Sequence, residues 1–253
     1  MEVHHHPHVE KKRFKEYLLE GLMIFFAVMM GFFAESFREY ITEHRQAREY
    51  AATMETDLES DTADLNSYIQ YYGYAATNID SLMVLTDTLD PKEIVSGKLY
   101  WYGLWGGAQG AFIPHDATIH QMESSGSLRY FKNMRLSRSV AEYYQLCRKW
   151  EDMEAVDRSI YPEVRKARAK IFEFKYNEAA NEIYQKNKIH FRQESIDSFM
   201  KSTPPLLSYD KVLFNEYLEL VRSRYLSRKV AFARNLLKQA VQLMDELKKQ
   251  YPG

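Results

Sequence analysis

Residues 17–37 read YLLEGLMIFFAVMMGFFAESF, and the stretch from Gly21 to Ala34 within them is uncharged and mostly apolar, bounded by Glu20 and Glu35. As a helix, 17–37 spans roughly 31 Å, enough to cross a bilayer core of about 30 Å. Two rival readings stand beside a membrane span. A cleaved signal peptide accounts for Lys11, Lys12, Arg13 and Lys15 ahead of the run, but no small-x-small site follows, because Phe32 and Phe33 precede Ala34. A buried helix of a soluble domain suits the shortness of the uncharged run, whereas the aromatic and basic flanks favour the span. The basic cluster before the run, set against Arg38, Arg45 and Arg48 after it, places the N-terminus inside. Residues 1–16 are then a cytoplasmic tail. In a bacterium the span is an inner-membrane signal anchor and the rest of the chain is periplasmic.

The two sides of this span differ. At about 100° per residue, Glu20, Ile24, Ala27, Gly31, Ala34 and Glu35 share one arc, while Leu22, Phe25, Met29, Phe32 and Phe33 lie opposite. Small residues at Ala27 and Gly31 permit close helix approach, and carboxylates in hydrocarbon are costly unless they meet protein, water or the headgroups. Self-association, or contact with another membrane protein, is the reading that uses this face. The simpler alternative is that Glu20 and Glu35 snorkel to opposite headgroup layers. A third is an ion or proton path.

Beyond the span, no Gly or Pro occurs between Phe32 and Tyr72. Apolar residues recur at Tyr50, Met54, Leu58, Leu65, Tyr68, Tyr72, Ala75, Ile79, Leu82 and Leu89, a spacing of about 3.5 residues interrupted at Asp61. This predicts a stalk helix over 38–89 that continues the span, with a break where Ser, Thr, Asp and Asn gather between Ser60 and Asn66. Residues 90–115 hold five of the ten glycines and two of the three tryptophans, and they read as an irregular Gly/aromatic loop. Trp101, Tyr102 and Trp105 there form either a partner-binding surface or the plug of a bundle end.

Thr118 and Gln121 suggest a capping box for a short helix that ends at Ser124-Ser125-Gly126. A second stripe follows through Leu136, Val140, Tyr143, Cys147, Trp150, Val156, Ile160, Val164, Ala167, Ile171 and Phe174, with Pro162 as a kink or boundary. STPPLLS at 202–208 breaks the chain again. Asp210 opens the last pattern, which runs through Leu213, Tyr217, Leu220, Phe232, Leu236, Ala240, Leu243 and Leu247 to Lys249. The expected fold is therefore all-α: one N-terminal transmembrane helix continuing into a long stalk, then an antiparallel helical bundle over 116–253 that the stalk completes.

Composition excludes several classes. The 34 Lys plus Arg nearly balance the 35 Asp plus Glu, so neither a nucleic-acid binder nor an acidic disordered tail is indicated. Ten Gly and seven Pro in 253 residues are too few for a turn-rich sandwich or barrel. A single cysteine, Cys147, rules out an intrachain disulfide framework and a four-cysteine zinc module. No HExxH, GxSxG, Walker A, GxGxxG or CxxC pattern occurs, and the expectation is that the chain is not an enzyme.

His4, His5, His6 and His8 crowd the tail, and at that density imidazoles can hold a divalent transition metal. The alternative is a solvated tail. His115, Asp116, His120 and Glu123 form a second, weaker grouping. The opening MEVHHHPHVEKKRFKEYLLEGLMIFFAVMMGFFAES, with FIPHDATIHQMESSGSLRYF at 112–131, resembles an uncharacterised family of bacterial single-span membrane proteins with a histidine-rich N-terminal tail. The resemblance implies a membrane anchor and a helical extracytoplasmic domain, and it carries no catalytic residues. The function expected from these features is that of a membrane-anchored interaction or scaffold protein of the envelope. Its rival is a subunit of an oligomeric ion or proton transport, or metal or pH sensing, complex that uses Glu20, Glu35 and the tail.

Overall fold

The computed structural model of the protein describes residues 14–190 and 193–252. Among them there is no strand. The helices in chain order are α1 (Phe14–Thr88), α2 (Ser96–Leu104), α3 (Ala117–Ser125), α4 (Met134–Ile171), α5 (Phe174–His190), α6 (Gln193–Lys201), α7 (Lys211–Ser223) and α8 (Leu226–Gln250). Short 3-10 turns follow α2 (Trp105–Gly107) and α3 (Ser127–Tyr130). The chain divides into two units, residues 1–50 and 51–253, and α1 contributes to both.

Along the apolar run of the first unit the large side chains face outward. Leu19, Ile24, Phe26, Met30, Phe32 and Phe37 are all more than half exposed. α1 contains an 18-residue window long and apolar enough to cross a membrane, with none of it buried inside the protein. A single long apolar N-terminal helix of this kind, joined to an all-helical domain, is consistent with membrane anchoring.

α1 is unbroken where a break was expected. The hydroxyls and amide between Ser60 and Asn66 bond back within the helix instead of leaving it. Ser60 Oγ donates to the Thr56 carbonyl at 3.1 Å, Thr62 Oγ1 to Glu59 at 2.8 Å and Asn66 Nδ2 to Thr62 at 2.8 Å. Side chains that compete for backbone bonds at caps are tolerated mid-helix, at a small cost, when they bond the preceding turn.

The second unit is organised by stripes of alternating spacing four and three. On α1, Ala51, Met54, Leu58, Asp61, Leu65, Tyr68, Tyr72, Ala75, Ile79 and Leu82 are all buried. Asp61 does not interrupt the heptads; it occupies one of their core positions. On α4 the buried stripe is Leu136, Val140, Tyr143, Cys147, Trp150, Glu154, Asp157, Val164, Ala167 and Ile171. Val156 is exposed and Ile160 only half-buried, so the phase passes through two acids and not through these apolar neighbours. On α8 it is Lys229, Ala233, Leu236, Ala240, Leu243 and Leu247.

α4 packs against α7 and α8. Tyr68 of α1 meets Trp150 of α4 edge-to-face at 4.8 Å. Pro162 lies inside α4, which continues to Ile171, and so it is not a boundary. The last pattern, expected as one helix, is two. After α7, capped by Asp210 accepting from the Val212 N–H at 2.7 Å, the chain turns through Tyr225 at φ 51° and ψ 43°. A non-glycine residue in that region persists only where its surroundings hold it.

Residues 90–115 also differ from the expected loop, because 96–104 is helix α2. Its glycines serve close packing. A Cβ on Gly103 would run into the Phe172 ring, and one on Gly106 into the Tyr217 hydroxyl and Val221. α2 lies against α5 and α6, where Trp101, Ala180 and Ile196 form a small core of their own.

Candidate functional site

The face read from the span lies along exposed helix. Ala27, Gly31, Ala34 and Glu35 are exposed, Glu20 is half-buried, and a Cβ added to Gly31 would meet nothing within 4 Å. Arg38 binds Glu35 through two nitrogens, at 3.0 and 2.5 Å, one turn along the helix. The tail histidines His4, His5, His6 and His8 lie outside the described residues. Among the described residues no group of three or more His, Cys, Asp and Glu is arranged to hold a metal ion. His120 Nε2 instead meets Asp116 at 2.9 Å, and His115 is occupied elsewhere.

Trp101 and Trp105 are 1% and 2% exposed and Tyr102 is half-buried. The two indoles therefore offer no free surface, a correction to the partner-binding alternative for this segment. Trp101, on α2, packs with Ala180 of α5 and Ile196 of α6, and Trp105, in the turn that follows, lies against α5 and α1. Trp105 meets Tyr184 at 4.5 Å, Tyr74 at 4.8 Å and Tyr71 at 6.0 Å, all edge-to-face.

From Gln109 to His115 the backbone is irregular and crosses the bundle as a strap, and side chains below satisfy it. Gln109 N donates to the Tyr71 hydroxyl at 3.3 Å, and the Tyr72 hydroxyl donates to the Gly110 carbonyl at 2.8 Å. Trp150 Nε1 donates to Phe112 O at 3.0 Å. The strap ends on Asp61, which accepts from His115 N at 2.8 Å and from the Tyr143 hydroxyl at 2.6 Å, with His115 Nδ1 2.9 Å away. A buried carboxylate at a core position is thus fully used.

Burial pushes the Asp61 carboxyl up, against the hydrogen bonds from Tyr143 and His115. The hydrogen bond to Asp61 raises the His115 imidazole, against a smaller opposing effect of burial. One turn away, Asp57 accepts from the Thr118 hydroxyl and N–H. The start of α3 is therefore served by a residue of α1, and Thr118 does not make the local capping box its sequence suggested. Burial also pushes the Cys147 thiol up to about 12, so it is held protonated and unreactive.

A second polar cluster sits in the core. Arg224, at the C-cap of α7, grips Asp157 through Nε at 2.7 Å and Nη2 at 2.8 Å, and donates to the Gly106 carbonyl through Nη1 at 2.7 Å. Lys229 meets Asp157 at 2.9 Å and Glu154 at 2.6 Å. Tyr68 donates to Glu154 at 3.3 Å, and the Lys229 ammonium lies over the Tyr72 ring at 5.5 Å. Burial alone would raise the Asp157 carboxyl, but Arg224 and then Lys229 outweigh it and hold it below its ordinary range. Two acids and two bases neutralise one another, and Arg224 ties the α7–α8 corner to α4.

Beside the strap is a recess of about 340 Å³ reaching Asp157, Arg158, Tyr161 and Arg224. The strap also borders a larger cleft of about 860 Å³, walled by Tyr68, Tyr71, Tyr72 and Tyr74 of α1 and by Tyr184 of α5. Sequence reading missed this cleft, since its walls come from segments more than a hundred residues apart. The ion cluster is hidden from a reading of apolar stripes, which pass over charged residues. The signal available was the heptad phase itself, which lands on Asp61, Glu154, Asp157 and Lys229 once polarity is ignored. Compared with protein-family models, with curated proteins and with solved structures, the chain matches none.

Proposed function

We propose that the protein is a non-catalytic, membrane-anchored scaffold of the bacterial envelope. In this reading the span is a single-pass inner-membrane anchor, the N-terminus is cytoplasmic and the helical domain is periplasmic. Assembly with a second copy or another membrane protein uses Glu20, Ile24, Ala27, Gly31, Ala34 and Glu35. The observation that supports it is α1, in which one uninterrupted helix carries both an outward-facing apolar window and a core stripe of the folded domain. Leaving that window in water costs about 25 cal/mol for each Å² of apolar surface, and lipid removes the cost. Small residues on one side then allow the close approach on which helix pairing in lipid depends.

Two measurements test the reading. Leu207, 59% exposed in the loop before α7, is replaced by Cys in a Cys147→Ser background, and intact cells are treated with a membrane-impermeant thiol reagent. Labelling of intact cells is expected; labelling only after lysis refutes the orientation. Crosslinking in membranes should fall severalfold in Gly31→Leu and stay unchanged in Phe25→Leu, and equal effects would remove the small face as the contact. A transport or sensing assembly that uses Glu20, Glu35 and a metal-binding tail requires a ring of spans. A solubilised particle that is a monomer or dimer excludes a pore formed by this chain alone.

A further inference from the structure

We propose that the tyrosine-walled cleft binds a short neutral oligosaccharide. The cleft lies wholly within residues 51–253, so the proposal stands or falls independently of the membrane reading. Its volume of about 860 Å³ falls in the range of small-molecule sites, roughly 300–1,000 Å³.

The wall chemistry selects the ligand. Tyr71 and Tyr184 are half-buried, and Tyr74 is 41% exposed. All three rings rest on the buried Trp105, and Tyr74 and Tyr184 lie nearly parallel, 22° apart at 6.2 Å. Rings fixed in this way are presented at little entropic cost. Around them stand Gln70, Gln109 and Gln185, each offering both donor and acceptor, and the Asp64 carboxylate, which accepts.

Among the described residues lining the cleft there is no Lys or Arg. Phosphates, sulfates and acidic peptides find no cationic partner among these lining residues. A lipid tail would strand the amides without hydrogen bonds. A proline-rich segment offers carbonyl acceptors but few donors, and would leave Asp64 and the glutamine carbonyls unmatched. A neutral sugar chain meets both demands. Each pyranose presents a C–H face that packs on a tyrosine ring, and its hydroxyls donate to the carboxylate and exchange hydrogen bonds with the amides at the rim.

The test is an intrinsic-fluorescence titration of the full chain, because Trp105 and three cleft tyrosines are in ring contact. The protein is solubilised in a polyoxyethylene ether detergent, since alkyl glycosides would compete. The probes are cellotriose, maltotriose and N,N′,N″-triacetylchitotriose. At least one should give a saturable change, with Tyr184→Ala and Gln109→Ala each weakening it by about tenfold or more. Tyr184→Phe, which keeps the stacking ring, should weaken it less, and Val156→Ala, on the exposed side of α4, should not. Circular dichroism establishes that the variants keep their helices. No saturable response to any of the three up to roughly 50 mM overturns the proposal. So does a response that survives both alanine substitutions, or saturable binding of tetramethylammonium or a polyproline peptide by a protein that ignores the sugars.

Discussion

The two units of this chain reverse each other's inside and outside. In the first, Ile24, Phe26, Met30 and Phe32 face outward with more than half their surface exposed. In the second, Asp61, Glu154, Asp157, Arg224 and Lys229 face inward, none more than 6% exposed. The difference teaches that polarity alone does not sort residues into core and surface. An outward apolar face is stable where the surrounding medium is itself apolar. An inward charge is stable where every oxygen and nitrogen finds a partner of opposite sign or a hydrogen bond, since burial of an unmatched ion costs several kcal/mol.

The comparison breaks most visibly at Asp157. Asp157→Leu leaves Lys229 on Glu154 but strips the buried Arg224 guanidinium of its carboxylate partner, and chemical denaturation of the solubilised chain should report a loss of about 3–5 kcal/mol. If Asp157→Leu is neutral, the cluster is not holding the corner. Because the folded carboxyl is held below its ordinary value, its contribution is present above about pH 4 and is lost as pH falls through the depressed value. The wild type should therefore lose stability in acid more steeply than Asp157→Leu.

The mirror experiment adds a charge to the outward face. Val28→Asp, at the middle of the span, should raise the cost of membrane insertion by about 2.5–3.5 kcal/mol and shift the protein from the membrane fraction to aggregates or degradation. Undiminished membrane recovery would show that this stretch does not sit in lipid.

A smaller effect is expected where the core depends on missing atoms. Gly103→Ala forces the Phe172 ring to move and should cost about 1–3 kcal/mol, read in the same denaturation assay. Gly73→Ala, with nothing within 4 Å of the added carbon, should instead be neutral or slightly stabilising.

The smallest effect sharpens the account of the buried acid at Asp61. The His115 imidazole is raised by its bond to Asp61, so its share of stability is full below about pH 6.5 and is lost as pH rises through the folded value. An NMR titration should place His115 above its ordinary value, and Asp61→Asn should bring it back toward about 6.5. An unchanged midpoint would mean that the pair is not formed.

Much of the fold was written in the spacing. The run from Gly21 to Ala34, the long absence of Gly and Pro, the STPPLLS break and the Gly126 stop each act through the backbone or through a few neighbouring residues, and they are legible because such effects are local. The all-helical class follows from them. Periodicity misleads where it rests on polarity. Polarity puts Val156 inside and Asp157 outside, because the partners that make the acid tolerable, Arg224 and Lys229, come from residues about seventy positions further on.

The same distance hid the rest. The glycines near Trp105 looked like freedom, and their reason is the ring of Phe172 and the hydroxyl of Tyr217, which no local pattern announces. The turn at Tyr225 splits an otherwise continuous helical pattern, and the neighbouring Arg224 anchors that corner to Asp157. The tyrosine cleft exists only because α1, the strap and α5 meet. Sequence alone determined the all-helical class, the long apolar N-terminal run and most of the stripes that must be covered, since these depend on residues within a few turns of one another. The tertiary structure decided which charges could enter the core, where the last helix divides and where a cleft opens, because each depends on atoms brought together from distant parts of the chain.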